Sequence, residues 1–270
     1  MRTVMAAIKA LALAGLTLPL MPLQWFFVKT NSSFARTFPH WFHKRVCGIL
    51  GITLEIEGHV PRGLIVANHT SWSDIPVLSA LAPVSFIAKK EVNDWPFFGS
   101  LARLQRTVFV DREHRTTTGA SANEMLERLK GGDTLVLFPE GTSHHGRGLK
   151  PFKSSFFGAV EKSDIPLIPV TVSYHSLHGL PLTMRQSHAI AWIGDTDLIP
   201  HLWDFLKGGP VTVKLTVHPA LNPADFANRK ELAAVARAAM TSALTPSPLR
   251  RQGSSFGTRE SEAGFPHSRE

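Results

Sequence analysis

Cysteine is nearly missing from this chain. Cys47 is the only one in 270 residues, and no Cys/His spacing suits a zinc site. An oxidised, disulfide-stapled scaffold and a zinc ribbon are therefore excluded, and a reducing compartment is expected. Acidic residues are absent from the whole N-terminal end, the first being Glu55. Charged side chains make up only 19% of the chain against 43% apolar, which excludes a collagen-like or wholly disordered polymer and leaves one sizeable domain with appendages. No internal repeat is visible.

What is present is an excess of positive charge. Twenty-nine Lys and Arg face 21 Asp and Glu, a net +8 that suits a phosphate-rich partner: nucleic acid, an anionic bilayer or an anionic ligand. Its placement narrows the choice. Arg2, Lys9, Lys29, Arg36, Lys44 and Arg45 all precede the first acid, in the greasiest part of the chain. From Val4 to Val28 only Lys9, Thr17 and Gln24 interrupt an apolar run long enough to cross a bilayer core of about 30 Å, with Pro19 and Pro22 expected to kink it. Phe34, Phe38, Trp41, Phe42, Val46, Ile49 and Leu50 then recur near helical spacing among basic residues, the pattern of an interfacial amphipathic helix. A cleaved signal peptide would use Arg2 and Ala12-Leu13-Ala14, but Lys9 interrupts its apolar region and the run continues past the site. A buried core helix would not account for six basic residues without an acidic neighbour. Residues 1–50 thus read as a membrane-associating region on the cytoplasmic face of a plasma membrane, which in bacteria is the inner membrane.

Residues 51–244 alternate strand and helix signals. Strands are expected at Leu54–Glu57, Leu64–Ala67, Ser85–Ala88, Thr107–Val110, Thr134–Phe138, Leu167–Ser173, Ala189–Ile193 and Val211–Val217. Helices are expected at Ile75–Leu81, Thr117–Leu129 and Leu232–Leu244. The sum is an α/β fold, a single mixed sheet flanked by helices. Residues 245–270, rich in Pro, Ser, Gly and mixed charge, are expected to form a disordered tail.

Chemistry-bearing residues cluster after the strands. Asn68-His69-Thr70-Ser71-Trp72-Ser73-Asp74 follows the buried run Leu64–Ala67. A histidine exchanges protons near neutral pH, and a carboxylate on its second nitrogen fixes the tautomer. Five residues on one helix turn about 140°, so His69 and Asp74 can meet only if Thr70–Ser73 forms a turn. Thirteen histidines and 21 acids make one such spacing expected roughly once by chance, so the pair needs support. Phe138-Pro139-Glu140-Gly141-Thr142 closes another strand, and neighbouring parallel strands would open both loops on one edge. Val108-Phe109-Val110-Asp111-Arg112 ends a third, and Ile165-Pro166-Leu167-Ile168-Pro169-Val170 opens a fourth.

These four ordered blocks resemble those of the lysophospholipid acyltransferases, which include the 1-acyl-sn-glycerol-3-phosphate acyltransferases. The resemblance covers roughly residues 65–170. It implies an O-acyltransferase in which His69 is the general base, Asp74 orients it, and Arg112, Glu140, Gly141, Thr142 and Lys153 hold the acceptor. It further implies a lysolipid acceptor and an acyl carrier protein or coenzyme A thioester as co-substrate, with no bound cofactor, no metal and no covalent acyl-enzyme. Two positions depart from the family pattern: Arg106 stands where Gly is common, and Ser143 where Arg is common. Losing that Arg removes a bidentate phosphate clamp, for which His144, His145, Arg147 and Lys150 are the candidate substitutes. The segments Gln105–Arg112 and Pro151–Ser155 look like those of a bacterial branch that acylates lyso-ornithine lipid, so lysophosphatidate and lyso-ornithine lipid both stand as acceptors.

Rival functions fit less well. Gly253-Ser254-Ser255-Phe256-Gly257 matches a serine-hydrolase elbow but has no preceding strand. The adjacent His144 and His145 point in different directions, which suits a solvated loop better than a metal site. Trp72, Trp95, Trp192 and Trp203 read as core or interface residues rather than a base-stacking platform, and the charge follows no nucleic-acid motif, so no nucleic-acid partner is expected. A non-catalytic, basic membrane-binding protein is the remaining alternative.

Overall fold

In a computed structural model of the chain, residues 1–111, 115–194 and 196–244 are described, with the side chains of 115–119 left aside. Arg112, the tail expected at 245–270 and the Gly253–Gly257 match lie outside the described residues.

Two helices open the chain, α1 (Arg2–Lys29) and α2 (Phe34–Leu50). Pro19 and Pro22, expected to kink the apolar run, both lie inside one continuous helix. α2 stops at Gly51, whose φ of 80° suits a left-handed cap.

The rest is one sheet between helices. Strands β1 (Ile52–Glu57), β2 (Leu64–Ala67), β3 (Ser85–Lys89), β4 (Val108–Val110), β5 (Leu135–Leu137), β6 (Leu167–Leu177), β7 (Leu180–Pro181) and β8 (Val211–Val217) are joined in the order β1-β8-β6-β2-β5-β3-β4, with β7 beside β6. β2 runs parallel to both β5 and β6, while β6 and β8 are antiparallel, so the sheet is mixed as expected. Helices α3 (Asp74–Leu81), α4 (Phe98–Leu104), α5 (Arg115–Lys130), α6 (Met184–Ile190), α7 (Leu198–Gly208) and α8 (Arg229–Leu244) complete it.

β2 shows why the sheet is central. All four residues are buried, and they alternate between two cores: Ile65 and Ala67 face α2, α3 and α7, while Leu64 and Val66 face α5 and α8. The N-terminal helices therefore join the layer that carries α3. Only 6% of the most apolar window of α1 is buried, and it is long and apolar enough to cross a membrane.

One element differs in kind from its expectation. Ala189–Ile193 is not a strand: residues up to Ile190 close helix α6 and the next three have no regular structure. A capping box decides it locally. The Thr183 hydroxyl accepts from the Gln186 N–H, and the Gln186 side chain accepts from the Thr183 N–H.

Candidate active site

Because β2 and β5 are parallel neighbours, the loops after them open on the same edge of the sheet, bringing His69 and Glu140 together. Asn68 anchors the end of β2. Its side-chain amide donates to the Val172 carbonyl and its oxygen accepts from the Val172 N–H, at 2.9 and 2.8 Å, stitching the loop base to β6.

The turn required between His69 and Asp74 is present. The Asp74 N–H donates to the Ser71 carbonyl and α3 begins at Asp74. The Asp74 side chain then reaches back over its own helix start. Its Oδ2 accepts from the Thr70 N–H at 2.6 Å, the Ser71 N–H at 2.9 Å and His69 Nδ1 at 2.8 Å. With Nδ1–H committed to the carboxylate, Nε2 carries the lone pair, and the described residues offer it no hydrogen-bond partner. The ring stacks on Phe138 at 4.2 Å between centroids, which fixes its plane.

The second oxygen of Asp74 has a partner that no local spacing announces. Tyr174, the only tyrosine in the chain, donates its hydroxyl to Asp74 Oδ1 at 2.7 Å. Its single proton is thereby committed, so the Ser73 hydroxyl, 2.6 Å away, donates to Tyr174. Burial, then the charge of Asp74, push the Tyr174 pKa well above its ordinary value, keeping it a neutral donor. Tyr174 lies on β6, a hundred residues away in sequence, so only the β2–β6 pairing reveals the contact.

Glu140, expected to hold the acceptor, is engaged by the protein's own groups. Its Oε1 accepts from the His69 N–H at 3.1 Å and its Oε2 from the Lys150 N–H at 2.7 Å, with His144 Nε2 also 2.7 Å from Oε2. A carboxylate 3% exposed and engaged at both oxygens braces the loops. Lys153 is exposed, its N–H bonded to the Pro139 carbonyl, and it is not among the residues walling the nearby cavity. Gly141 and Thr142 do line that cavity, beside His69. Gly141 has a φ of 75°, the left-handed region in which a glycine turns the loop without strain.

The cavity holds about 600 Å³ and runs from His69 and Phe138 to the inner sides of α1 and α2. Leu13, Leu20, Phe42, Phe86 and Leu101 make its wall apolar, and Trp72, Trp95 and Trp192 also line it. A proton acceptor therefore sits at one end of an apolar chamber that only the N-terminal helices complete. That arrangement can deprotonate a hydroxyl beside a sequestered aliphatic chain.

Two of the four candidates for replacing the missing arginine at position 143, His144 and Arg147, are engaged elsewhere. The Ser143 hydroxyl donates to the Trp192 carbonyl. His144 faces Glu140, Arg147 bonds to the Leu182 carbonyl and Ser187 Oγ, and neither lines the cavity. Among the described residues, no group of three His, Cys, Asp or Glu is placed to hold a metal ion.

Comparison with known proteins agrees with this architecture. A family model described as Acyltransferase matches residues 52–173. The chain is 39% identical over 232 residues to the lyso-ornithine lipid O-acyltransferase of Brucella abortus (strain 2308), covering 82% of this chain and 87% of that protein. It is 31% identical over 193 residues to the 1-acyl-sn-glycerol-3-phosphate acyltransferase of Neisseria gonorrhoeae, covering 70% of this chain and 73% of that one. The crystal structure of the 1-acyl-sn-glycerophosphate (LPA) acyltransferase PlsC from Thermotoga maritima shares the fold, with a TM-score of 0.67 at 22% identity over 90% of this chain and 96% of that chain.

Proposed function

The chain belongs to the acyltransferase family, and from that membership we propose that it moves a fatty acyl group from a thioester of acyl carrier protein or coenzyme A onto the free hydroxyl of lyso-ornithine lipid. The observation that carries the reading is the His69–Asp74 pair, 2.8 Å apart, at one end of the apolar cavity.

In this mechanism His69 Nε2 takes the acceptor hydroxyl proton as the oxygen attacks the thioester carbonyl. The tetrahedral intermediate collapses with cleavage of the C–S bond, and the imidazolium returns the proton to the leaving thiolate. Asp74 holds the imidazole in the required tautomer and stabilises its charged form. Gly141 and Thr142 border the reacting centre and the apolar cavity takes the acyl chain. The reaction as written uses no resident cofactor. The apolar α1 attaches the enzyme to the membrane at its cytoplasmic face, within reach of both lysolipid and soluble thioester. The region 1–50 would then serve as anchor and cavity wall, and 51–244 as the catalytic domain.

Lyso-ornithine lipid is favoured over lysophosphatidate because position 143 offers no guanidinium for a phosphomonoester, and because identity to the lyso-ornithine lipid O-acyltransferase, 39%, exceeds the 31% to the glycerophosphate enzyme. The test presents both lysolipids to one preparation with an acyl thioester. Ornithine lipid should form preferentially, with thiol released in step with product. Preference for lysophosphatidate would overturn the acceptor assignment, and thiol release without any acceptor would indicate a hydrolase.

A further inference from the structure

On the sheet edge opposite His69, ahead of β2, β3 and β5, a second cleft of about 210 Å³ is lined by Arg36, Arg62 and Arg106, with Asp133 as the only acid among the described residues lining it. Asp133 is saturated. Arg36 Nε lies 2.8 Å from Oδ1, Arg106 grips both oxygens at 3.2 and 2.8 Å, and Arg128 Nε lies 2.8 Å from Oδ2. Arg128 spends its remaining nitrogens inside the protein, on the Arg106 carbonyl and Ser85 Oγ. One buried carboxylate thus organises three guanidinium groups, far more cation than it neutralises.

The surplus points into the cleft. Among the described residues Arg36 uses only Nε, leaving both its terminal nitrogens, and its side chain is 48% exposed. Arg62 has no carboxylate partner among the described residues, and its Nη1 stands only 3.4 Å from where a Cβ on Gly132 would be. Arg106, whose fork is held by Asp133, takes a φ of 58° just past the end of α4, the left-handed position at which helices commonly stop. A planar fork with unused N–H groups is built for a tetrahedral oxyanion.

We propose that this cleft binds a phosphate oxyanion, supplied by the headgroup of an anionic phospholipid, at a site separate from the acyl-transfer cavity. Its position suits that source: Arg36 lies in the first turn of α2, two residues from the exposed ring of Phe34, where aromatic and basic groups meet at the tip of the N-terminal helices. Neither Arg36 nor Arg62 lines the acyl cavity. The inference does not depend on the acyl-transfer reading.

The experiment titrates full-length protein in neutral-detergent micelles with dihexanoylphosphatidylglycerol, dihexanoylphosphatidylcholine and inorganic phosphate, following ³¹P linewidths and the thermal midpoint. Arg62→Gln leaves the Asp133 network intact, so it should fold, and Arg36→Gln is a second variant. Phosphatidylglycerol should bind and stabilise wild type, with binding about tenfold or more weaker in either variant and acyl transfer in micelles unchanged. If inorganic phosphate binds as tightly and shows the same variant dependence, the oxyanion site stands and its source is free phosphate. If phosphatidylcholine matches phosphatidylglycerol, or if both variants bind like wild type, the proposal fails.

Discussion

The Tyr174 hydroxyl lies 2.7 Å from Asp74 Oδ1, on the carboxylate whose other oxygen lies 2.8 Å from His69 Nδ1. A neutral donor there withdraws electron density from Asp74 and limits how strongly it stabilises the His69 imidazolium. Tyr174→Phe removes the donor while keeping the ring that fills the core. The Asp74 carboxylate then loses one of its donors, so the kcat/KM pH profile should change and turnover at neutral pH should fall roughly tenfold. An unchanged profile with only reduced thermal stability would make Tyr174 purely structural.

Glu140 separates bracing from binding. Glu140→Gln turns one acceptor oxygen into an N–H donor facing the N–H of His69 or Lys150, at a cost of about 1–3 kcal/mol. The expected result is a lower thermal midpoint and reduced kcat with little change in KM for the lysolipid. A rise in KM with kcat and stability intact would show that the carboxylate touches the acceptor after all.

The cavity wall should govern chain length. Ala102 on α4 lines the chamber, and Ala102→Trp would fill part of it. The ratio of kcat/KM for long over short acyl thioesters should fall by roughly tenfold or more, since each buried methylene is worth about 0.8 kcal/mol. An unchanged ratio would place the chain elsewhere.

How far these residues could be found without coordinates depends on sequence distance. Strand β2 and helix α3 are local patterns, and their boundaries were readable. The His69–Asp74 turn followed from geometry once the two residues were required to meet. α7 is also written in the sequence, with Leu198, Leu202, Phe205 and Leu206 at helical spacing, whereas the apolar run Ala189–Ile193 has the composition of a strand and is overruled by the capping box of Thr183 and Gln186. Tyr174, Arg36 and Arg106 carry no such signal, because the carboxylates they meet lie on elements far away in sequence, brought together only by strand order. Glu140 was visible as a position, but which N–H groups it faces is a tertiary fact.

Burial sets a pH limit on stability. His43 hydrogen-bonds Ser79 Oγ and the Pro39 carbonyl, and burial lowers its pKa to about 4 from an ordinary 6.5. His40, His201 and His218 are lowered for the same reason. The unfolded chain therefore binds more protons between these values, so stability falls as the pH drops from about 6.5 towards 4. His43 alone contributes up to about 3 kcal/mol, less to the extent that its cavity-facing edge is solvated. His43→Gln should flatten the unfolding free energy across that window, and an unchanged slope would assign it to other groups.

The most direct measurement is turnover by His69→Ala, made alongside its thermal midpoint and its binding to vesicles. Transfer to the lysolipid should drop by roughly two to four powers of ten while folding and membrane attachment stay at wild-type levels. A folded, membrane-bound His69→Ala protein that still transfers acyl groups at near-normal rates would contradict the account.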